Sequence, residues 1–351
     1  MIKPYMKYGA VSAKVHSLYG QRLKDEDYSE MIRKRSVSDI AAYLKQNTSY
    51  SKALSGIDEN VAHRGTLEYM IRTSVYDEYS RIMNFIGRRD WQATHFLLHK
   101  TEIDQILIYL RLLSIGKQSE FNRPFLQIMD KQTIFDWDNI HVAKDYQGVL
   151  DLIKDSSYRQ ILGRFLPESA KIDFDSLDIG FRSALYKQFF ELAGKSYRGI
   201  LKTQLDENTG SMVDLINITR IIRLKHYFST SAEGIVPYLL PFYYKLKKPV
   251  LMEIVKAQTM EETMDLISET SYKKVFPTDD FQNLEKHHGK YIYEMNKSFL
   301  LNNPPSIMTV LSYIMLKDNE INNIVHIIEG VRYSLSQEET AAHLVGVTVK
   351  R

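Results

Sequence analysis

The chain has 351 residues, 44% of them hydrophobic and 25% charged, with 46 basic against 43 acidic side chains and no cysteine. This is the composition of a folded protein of two or three domains, and a formal charge of +3 gives a nucleic-acid partner no electrostatic footprint. The missing cysteine excludes disulfides, thiolate metal sites and a cysteine nucleophile, and it fits a reducing compartment.

The opening Met1-Ile2-Lys3-Pro4-Tyr5 lacks the apolar core of a signal peptide. Ser36 followed by Asp39 has capping-box spacing and predicts a helix start. That helix runs into a first box, Leu44 then Thr48-Ser49-Tyr50, with Leu54 four residues past the tyrosine. A second box follows, Leu67-Glu68 with Tyr76. Thr66 to Ile86 and Arg88 to Ile115 contain neither glycine nor proline, so both read as long helices. The latter holds His95 and His99 and then a third box: Glu102, Gln105-Ile106, Tyr109-Leu110.

The same boxes then return in order. Asp145 is a candidate N-cap, and Leu152 leads to Ser156-Ser157-Tyr158 with Leu162 beyond. Leu177-Asp178 with Tyr186 and then Asp214, Asn217-Ile218, Ile221-Ile222 complete the second set. Next comes the longest apolar run of the chain, Ile235 to Tyr244. It is far short of the roughly 20 residues a membrane helix needs, and Pro237 and Pro241 interrupt it. Lys245, Lys247 and Lys248 follow it, a place for a contact with a partner or with lipid headgroups, or a solvated edge after a buried segment. Thr259 with Glu262 repeats the capping-box spacing. The third set is then Leu266 with Thr270-Ser271-Tyr272 and Phe276, Leu284-Glu285 with Tyr293, and Glu320, Asn323-Ile324, Ile327-Ile328. The run at 235–244 and the tail Val345-Gly346-Val347-Thr348-Val349 are the only strand-like stretches.

Three boxes in fixed order, three times over, indicate internal duplication. The expected class is all-α, with three similar helical domains at 1–116, 117–229 and 230–351. Offsets of 0, 3, 4, 7 and 8 put each third box on one helix face. Thr101, Ser211 and Asp318 are candidate caps that would set each acid near a helix start, where the macrodipole favours it. The pairs Glu102 and Gln105, Asp214 and Asn217, and Glu320 and Asn323 are polar groups on a core-facing stripe. They are expected to hydrogen-bond within their own repeat, to the hydroxyls of Tyr50, Tyr158 and Tyr272. One position breaks the pattern: Arg111 and Arg223 are matched by Glu329.

Nothing here reads as catalytic. An acid present three times is not a specialised general base. Gly194-Lys195-Ser196 resembles the end of a phosphate loop, but Phe189 stands where that pattern needs glycine. His95 and His99 are four apart with no glutamate base between them, and a metal would need further ligands. No cofactor and no metal are expected.

The segment Tyr8-Gly9-Ala10-Val11-Ser12-Ala13-Lys14-Val15, the first box, the three third boxes and the close of the chain carry a resemblance. The close comprises Asn319 to Ile324, Ser336-Gln337-Glu338-Glu339 and His343-Leu344-Val345. Together they resemble the C subunit of V-type and A-type rotary ATPases, the family that includes the d subunit of the eukaryotic V-ATPase. The resemblance spans essentially the whole chain. It implies a funnel of three helical domains about a pseudo-threefold axis. It implies a non-catalytic member of the central stalk, one copy per complex, that couples the soluble shaft to the proteolipid ring in the membrane. Its place would be cytoplasmic and peripheral, with no membrane span of its own. A helical-repeat scaffold outside the rotary ATPases is the other reading, since such repeats present binding surfaces. A helical enzyme would require one copy to carry a polar cluster the others lack.

Overall fold

The computed structural model describes residues 2–58, 64–121, 133–165, 172–277 and 280–349. The first part of the chain carries α1 (Ile2–Gly20), α2 (Asp25–Ile32), α3 (Val37–Asn47), α4 (Arg64–Met83) and α5 (Arg88–Ser114). The middle carries α6 (Tyr146–Leu152), α7 (Ser156–Phe165), α8 (Phe174–Ser196) and α9 (Gly199–Phe228). The last carries α10 (Ala232–Ile235), α11 (Lys248–Lys256), α12 (Met260–Ser268), α13 (Leu284–Asn302), α14 (Ile307–Arg332) and α15 (Gln337–Ala342). The class is all-α. Among the described residues the sole β feature is an isolated bridge between Phe135 and Ile153. Neither strand-like stretch forms a strand: 235–244 passes through a 3-10 turn at Val236–Tyr238, and the tail is irregular.

Helix starts follow the local chemistry of the sequence. The Ser36 hydroxyl accepts the Asp39 N–H, Asp145 accepts the Gly148 N–H and Thr259 accepts the Glu262 N–H. Each satisfies an amide that the first helical turn leaves without a partner. The other three expected caps are displaced. Thr101, Ser211 and Asp318 lie inside α5, α9 and α14, whose apolar periodicity extends well upstream of the third boxes. The box acids are therefore mid-helix, outside the reach of the helix-end dipole.

The same three helices end alike. Gly116, Ser229 and Ser334 adopt left-handed backbone with φ of 69°, 48° and 55°. The next amide then folds back onto the helix: Lys117 N–H to Leu112 O (2.8 Å), Thr230 N–H to Leu224 O (3.0 Å) and Leu335 N–H to Gly330 O (2.9 Å). Only at Gly116 is the left-handed region free of a Cβ clash.

By contacts the chain divides into two compact units, 1–91 with 293–351 and 92–292. In the first, α14 packs against α1, α2, α3 and α4. Its Ile321, Ile324, Ile327 and Ile328 share one core with Leu44, Tyr50, Leu54 and Leu67. In the second, α9 packs against α8 and α12. Leu215, Ile218, Ile221 and Ile222 share a core with Leu246, Ile267, Tyr272, Phe276 and Leu284. Truncating any one of these buried isoleucines to alanine removes roughly 2–5 kcal/mol.

Replacing Ser229 by glycine should relieve the left-handed strain at the end of α9. A gain of about 0.5 kcal/mol is expected once the extra freedom of glycine in the unfolded chain is subtracted. Ser229→Ala should not gain. Urea unfolding of both variants checks this.

Candidate functional site

The repeated polar residues come together, but not in the pairs expected. Tyr50 donates to Glu320 Oε1 (2.7 Å) and Tyr272 donates to Asp214 Oδ2 (2.8 Å). In both, the tyrosine of one copy meets the acid of the copy before it, counting the first copy as the successor of the third. Tyr158 does not meet Glu102 in this way. Its hydrogen bond goes to Gln188 Oε1 (3.3 Å). The expectation of bonding within a repeat fails for a simple reason. The third boxes on α5 and α9 face the chain that follows their helix, which is the start of the next copy, whereas that on α14 faces Leu23 and Tyr50 of the first copy and Val345 of its own.

Asp214 shows the arrangement in full. It accepts the backbone N–H groups of Tyr244 (3.1 Å), Lys245 (2.8 Å) and Leu246 (2.9 Å) besides the Tyr272 hydroxyl. One turn on, Asn217 exchanges both bonds with the backbone of Leu240: its amide donates at 3.0 Å and its carbonyl accepts at 2.8 Å. The run 235–246 thus lies pinned along α9. Ile235, Leu240 and Leu246 are buried, while Tyr243, Lys247 and Lys248 stay exposed. Burial raises the Asp214 carboxyl above its ordinary range against the pull of these donors.

Around α14 the same two positions pin two segments that are far apart in sequence. Glu320 accepts the Leu23 N–H (2.8 Å), and Asn323 exchanges bonds with Val345, donating at 2.9 Å and accepting at 3.0 Å. Leu23 therefore stands where Leu246 stands on α9, and Val345 where Leu240 stands. Here a cation joins. Lys317 Nζ lies 2.7 Å from Glu320 Oε1, with both side chains 6% exposed. The ammonium also sits 4.5 Å over the Tyr50 ring. Burial opposes the lysine charge, but Glu320 and Glu78 outweigh it and raise its pKa. Gly346 is left-handed (φ 72°), and a Cβ there would meet the Tyr293 ring at 2.5 Å.

On α5, Glu102 accepts the Ile134 N–H (3.1 Å) and the Trp137 indole N–H (2.9 Å). Gln105 is half-buried, and Tyr109 donates to Ala143 O (2.6 Å). Burial drives the Glu102 carboxyl up to about 7, and the indole, the Ile134 and Phe135 amides and the Lys154 charge only partly offset it.

The break at Glu329 is a reversed ion pair. Arg223 on α9 meets Glu285 at 2.8 Å, whereas Glu329 on α14 meets Arg64 at 2.6 Å. His95 and His99 meet edge to face at 6.0 Å on α5, and Gly194-Lys195-Ser196 is the last turn of α8. Among the described residues no group of three His, Asp or Glu side chains could hold a metal, and no helix is long and apolar enough to cross a membrane. The arrangement makes no chemistry available to a substrate; it fastens loops to long helices through buried carboxylates and amides. Lys317, Trp137 and the backbone partners gave no repeated signal in the sequence. The amide three residues after each acid was the usable clue.

Tyr50→Phe and Tyr272→Phe should each cost about 1.5–3 kcal/mol, since each leaves a buried carboxylate one donor short. Tyr158→Phe, which loses a bond to a neutral amide, should cost about 0.5–1.5 kcal/mol. Chemical unfolding of the three variants ranks them. Glu102 generates a pH dependence of definite sign. Its folded value, about 7, exceeds the ordinary 4.5. The folded state therefore binds the extra proton, and stability falls as pH rises from about 4.5 to about 7, by on the order of 3 kcal/mol. Glu102→Gln should flatten that slope and unfold later than the parent at pH 8.

The ATP synthase (C/AC39) subunit family model matches residues 11–343 of the chain. The chain is 23% identical to the C subunit of the A-type ATP synthase of Methanobrevibacter smithii, over 92% of this chain and 83% of that one. The corresponding protein of Pyrococcus furiosus is 20% identical, over 93% and 87% respectively. That of Archaeoglobus fulgidus is 22% identical, over 95% of each chain.

Proposed function

The chain belongs to the ATP synthase (C/AC39) subunit family, and from that premise we propose that it is the central-stalk socket of a rotary ATPase, joining the soluble shaft to the membrane rotor ring. As a member of this family it is a non-catalytic part of a rotary ATPase. The finer role, transmission of torque between shaft and ring, rests on the mechanics of the fold.

The observation that carries it is the set of buried clasps at Glu102, Asp214 and Glu320. A part that turns with a shaft and drives a ring is loaded in shear. Exposed ion pairs resist shear poorly, since they are worth about 0–1 kcal/mol and exchange with water. A buried carboxylate stripped of its partners costs roughly 3–5 kcal/mol. Each long helix is thus locked to the segment that follows it, and the close-packed interior transmits strain with little compression. The duplicated units 1–116, 117–229 and 230–351 would supply three similar domains, each completed by its neighbour in the sequence. They would form a funnel with pseudo-threefold symmetry. The partners are the shaft subunits of the soluble sector and the proteolipid ring, with one copy of this chain per complex. The chain would be cytoplasmic and peripheral to the membrane, and no nucleic acid or cofactor enters the role.

Native mass spectrometry of the purified chain, mixed first with the shaft subunits of its own ATPase and then with the detergent-solubilised ring, tests this. One copy bound in each mixture, with no ATPase activity of the chain alone, is expected. No complex with either at micromolar concentration overturns it.

A further inference from the structure

Of the three buried acids, Glu102 is the least well supplied with donors. Asp214 accepts from three backbone amides and from the Tyr272 hydroxyl. Glu320 accepts from the Leu23 amide, the Tyr50 hydroxyl and the Lys317 ammonium. Glu102 is as fully buried as they are, yet its hydrogen bonds come from the Ile134 amide and the Trp137 indole. Among the described residues no tyrosine hydroxyl and no cation bonds it. A buried carboxylate in that position lacks the donors that a charge needs.

The tyrosine that fills this place in the other two clasps is present but turned elsewhere. Tyr158 holds the box position of Tyr50 and Tyr272 and is fully buried. Its hydroxyl donates to the neutral side chain of Gln188 at 3.3 Å, long for a hydroxyl, for which about 2.5–3.0 Å is usual. Tyr50 and Tyr272 hold their carboxylates at 2.7 and 2.8 Å. Two backbone bonds lead from the acid to the helix of this tyrosine. Ile134 donates its N–H to Glu102 and accepts the Lys154 N–H at 2.8 Å. Just beyond Lys154 begins α7, with Tyr158 in its first turn. Burial raises the Tyr158 phenol, and the charges of Asp155 and Glu102 raise it further. A protonated carboxyl is a weak acceptor, whereas bonds to a carboxylate are about twice as strong as neutral ones. The better partner for the hydroxyl therefore depends on the proton of Glu102.

We propose that Tyr158 is the movable member of a proton-controlled clasp: it donates to Gln188 while Glu102 is protonated and turns to the carboxylate once the proton leaves, completing the bond that Tyr50 and Tyr272 already make. The structure shows the first arrangement. Burial holds the Glu102 proton up to about 7, which sets the exchange near neutrality. The charges around the pair are Lys154, which favours the carboxylate, and Asp155, which acts on the phenol. Asp136, in the segment pinned by Glu102, is held below the usual carboxylate range by the bond from Asn139 and stays charged throughout. One of three like clasps thus responds to pH, and the proposal does not depend on the socket reading.

The full chain with Trp91→Phe keeps Trp137 as its one tryptophan, and the Trp137 indole reads the proton because it donates to Glu102. Fluorescence of the folded protein is followed from about pH 5 to about pH 9, alone and with Tyr158→Phe or Glu102→Gln, circular dichroism verifying the fold of each. A transition near neutrality that Glu102→Gln abolishes is expected. Tyr158→Phe should raise its midpoint by about one pH unit, because it removes a donor that serves the charged form alone. Urea unfolding of the two single variants and the double variant then measures their coupling. A coupling of roughly tenfold in the folding equilibrium is expected at about pH 8.5 and none at about pH 5.5. A midpoint left in place or lowered by Tyr158→Phe overturns the proposal. So does coupling that is absent, or equal, at both pH values, and so does the lack of any Glu102-dependent transition in the range.

Discussion

A carboxylate placed in the middle of a helix, on the side that faces the core, cannot be solvated by water and cannot lean on the helix dipole. It must find donors across the gap, and the readiest donors are the backbone amides of a segment that has no secondary structure of its own. Asp214 takes three of them in succession, Tyr244 to Leu246. This solves two problems together. The acid gains charge-assisted bonds, and a run of unpaired N–H groups that would be costly to bury gains an acceptor. The companion amide, Asn217 or Asn323, repeats the logic with a neutral two-way bond to one residue. Long helix and irregular segment are thereby fastened together.

The three versions differ in how completely the charge is met. Asp214 has neutral donors on every side. Glu320 keeps two neutral donors and adds Lys317, a buried ion pair in which either group alone would be costly. Glu102 has an indole and backbone amides, and the pull of Lys154 on it is weak, so burial dominates and its proton is held near neutrality. Three acids at the same helical register have thus reached three electrostatic solutions. The reversed pair at Glu329 and Arg64 is a surface instance of the same divergence.

The helical class, the caps at Ser36, Asp145 and Thr259, and the buried face of each third box were legible because they depend on residues close in sequence. A 3.6-residue period identifies a core-facing stripe whatever lies opposite. The partner of that stripe was not legible. When three copies are alike, a tyrosine within the copy and a tyrosine in the next are equivalent on paper, and only the direction in which the helix face points separates them. The displaced caps have a related cause. Thr101, Ser211 and Asp318 are good capping residues, but the apolar rhythm upstream of them continues and tertiary burial overrides the local preference. Lys317 was hidden because its counterparts in the other copies, His99 and Ser211, are of different chemistry.

The offset between duplicated copy and packed core bears on how such a chain could have arisen. The acids of the third boxes take donors from beyond their own copy, Glu320 from Leu23 and Tyr50 of the first, while Asn323 bonds Val345 within its own copy. A lone copy would hold an acid helix short of its donors and a tyrosine turn with no acid to meet. An ancestor of that length would have had to lend its last helix to a sister molecule and borrow one in return. Joining the copies in one chain would turn an exchange between molecules into bonds within one, of the kind that fasten Leu23 and Val345 to α14.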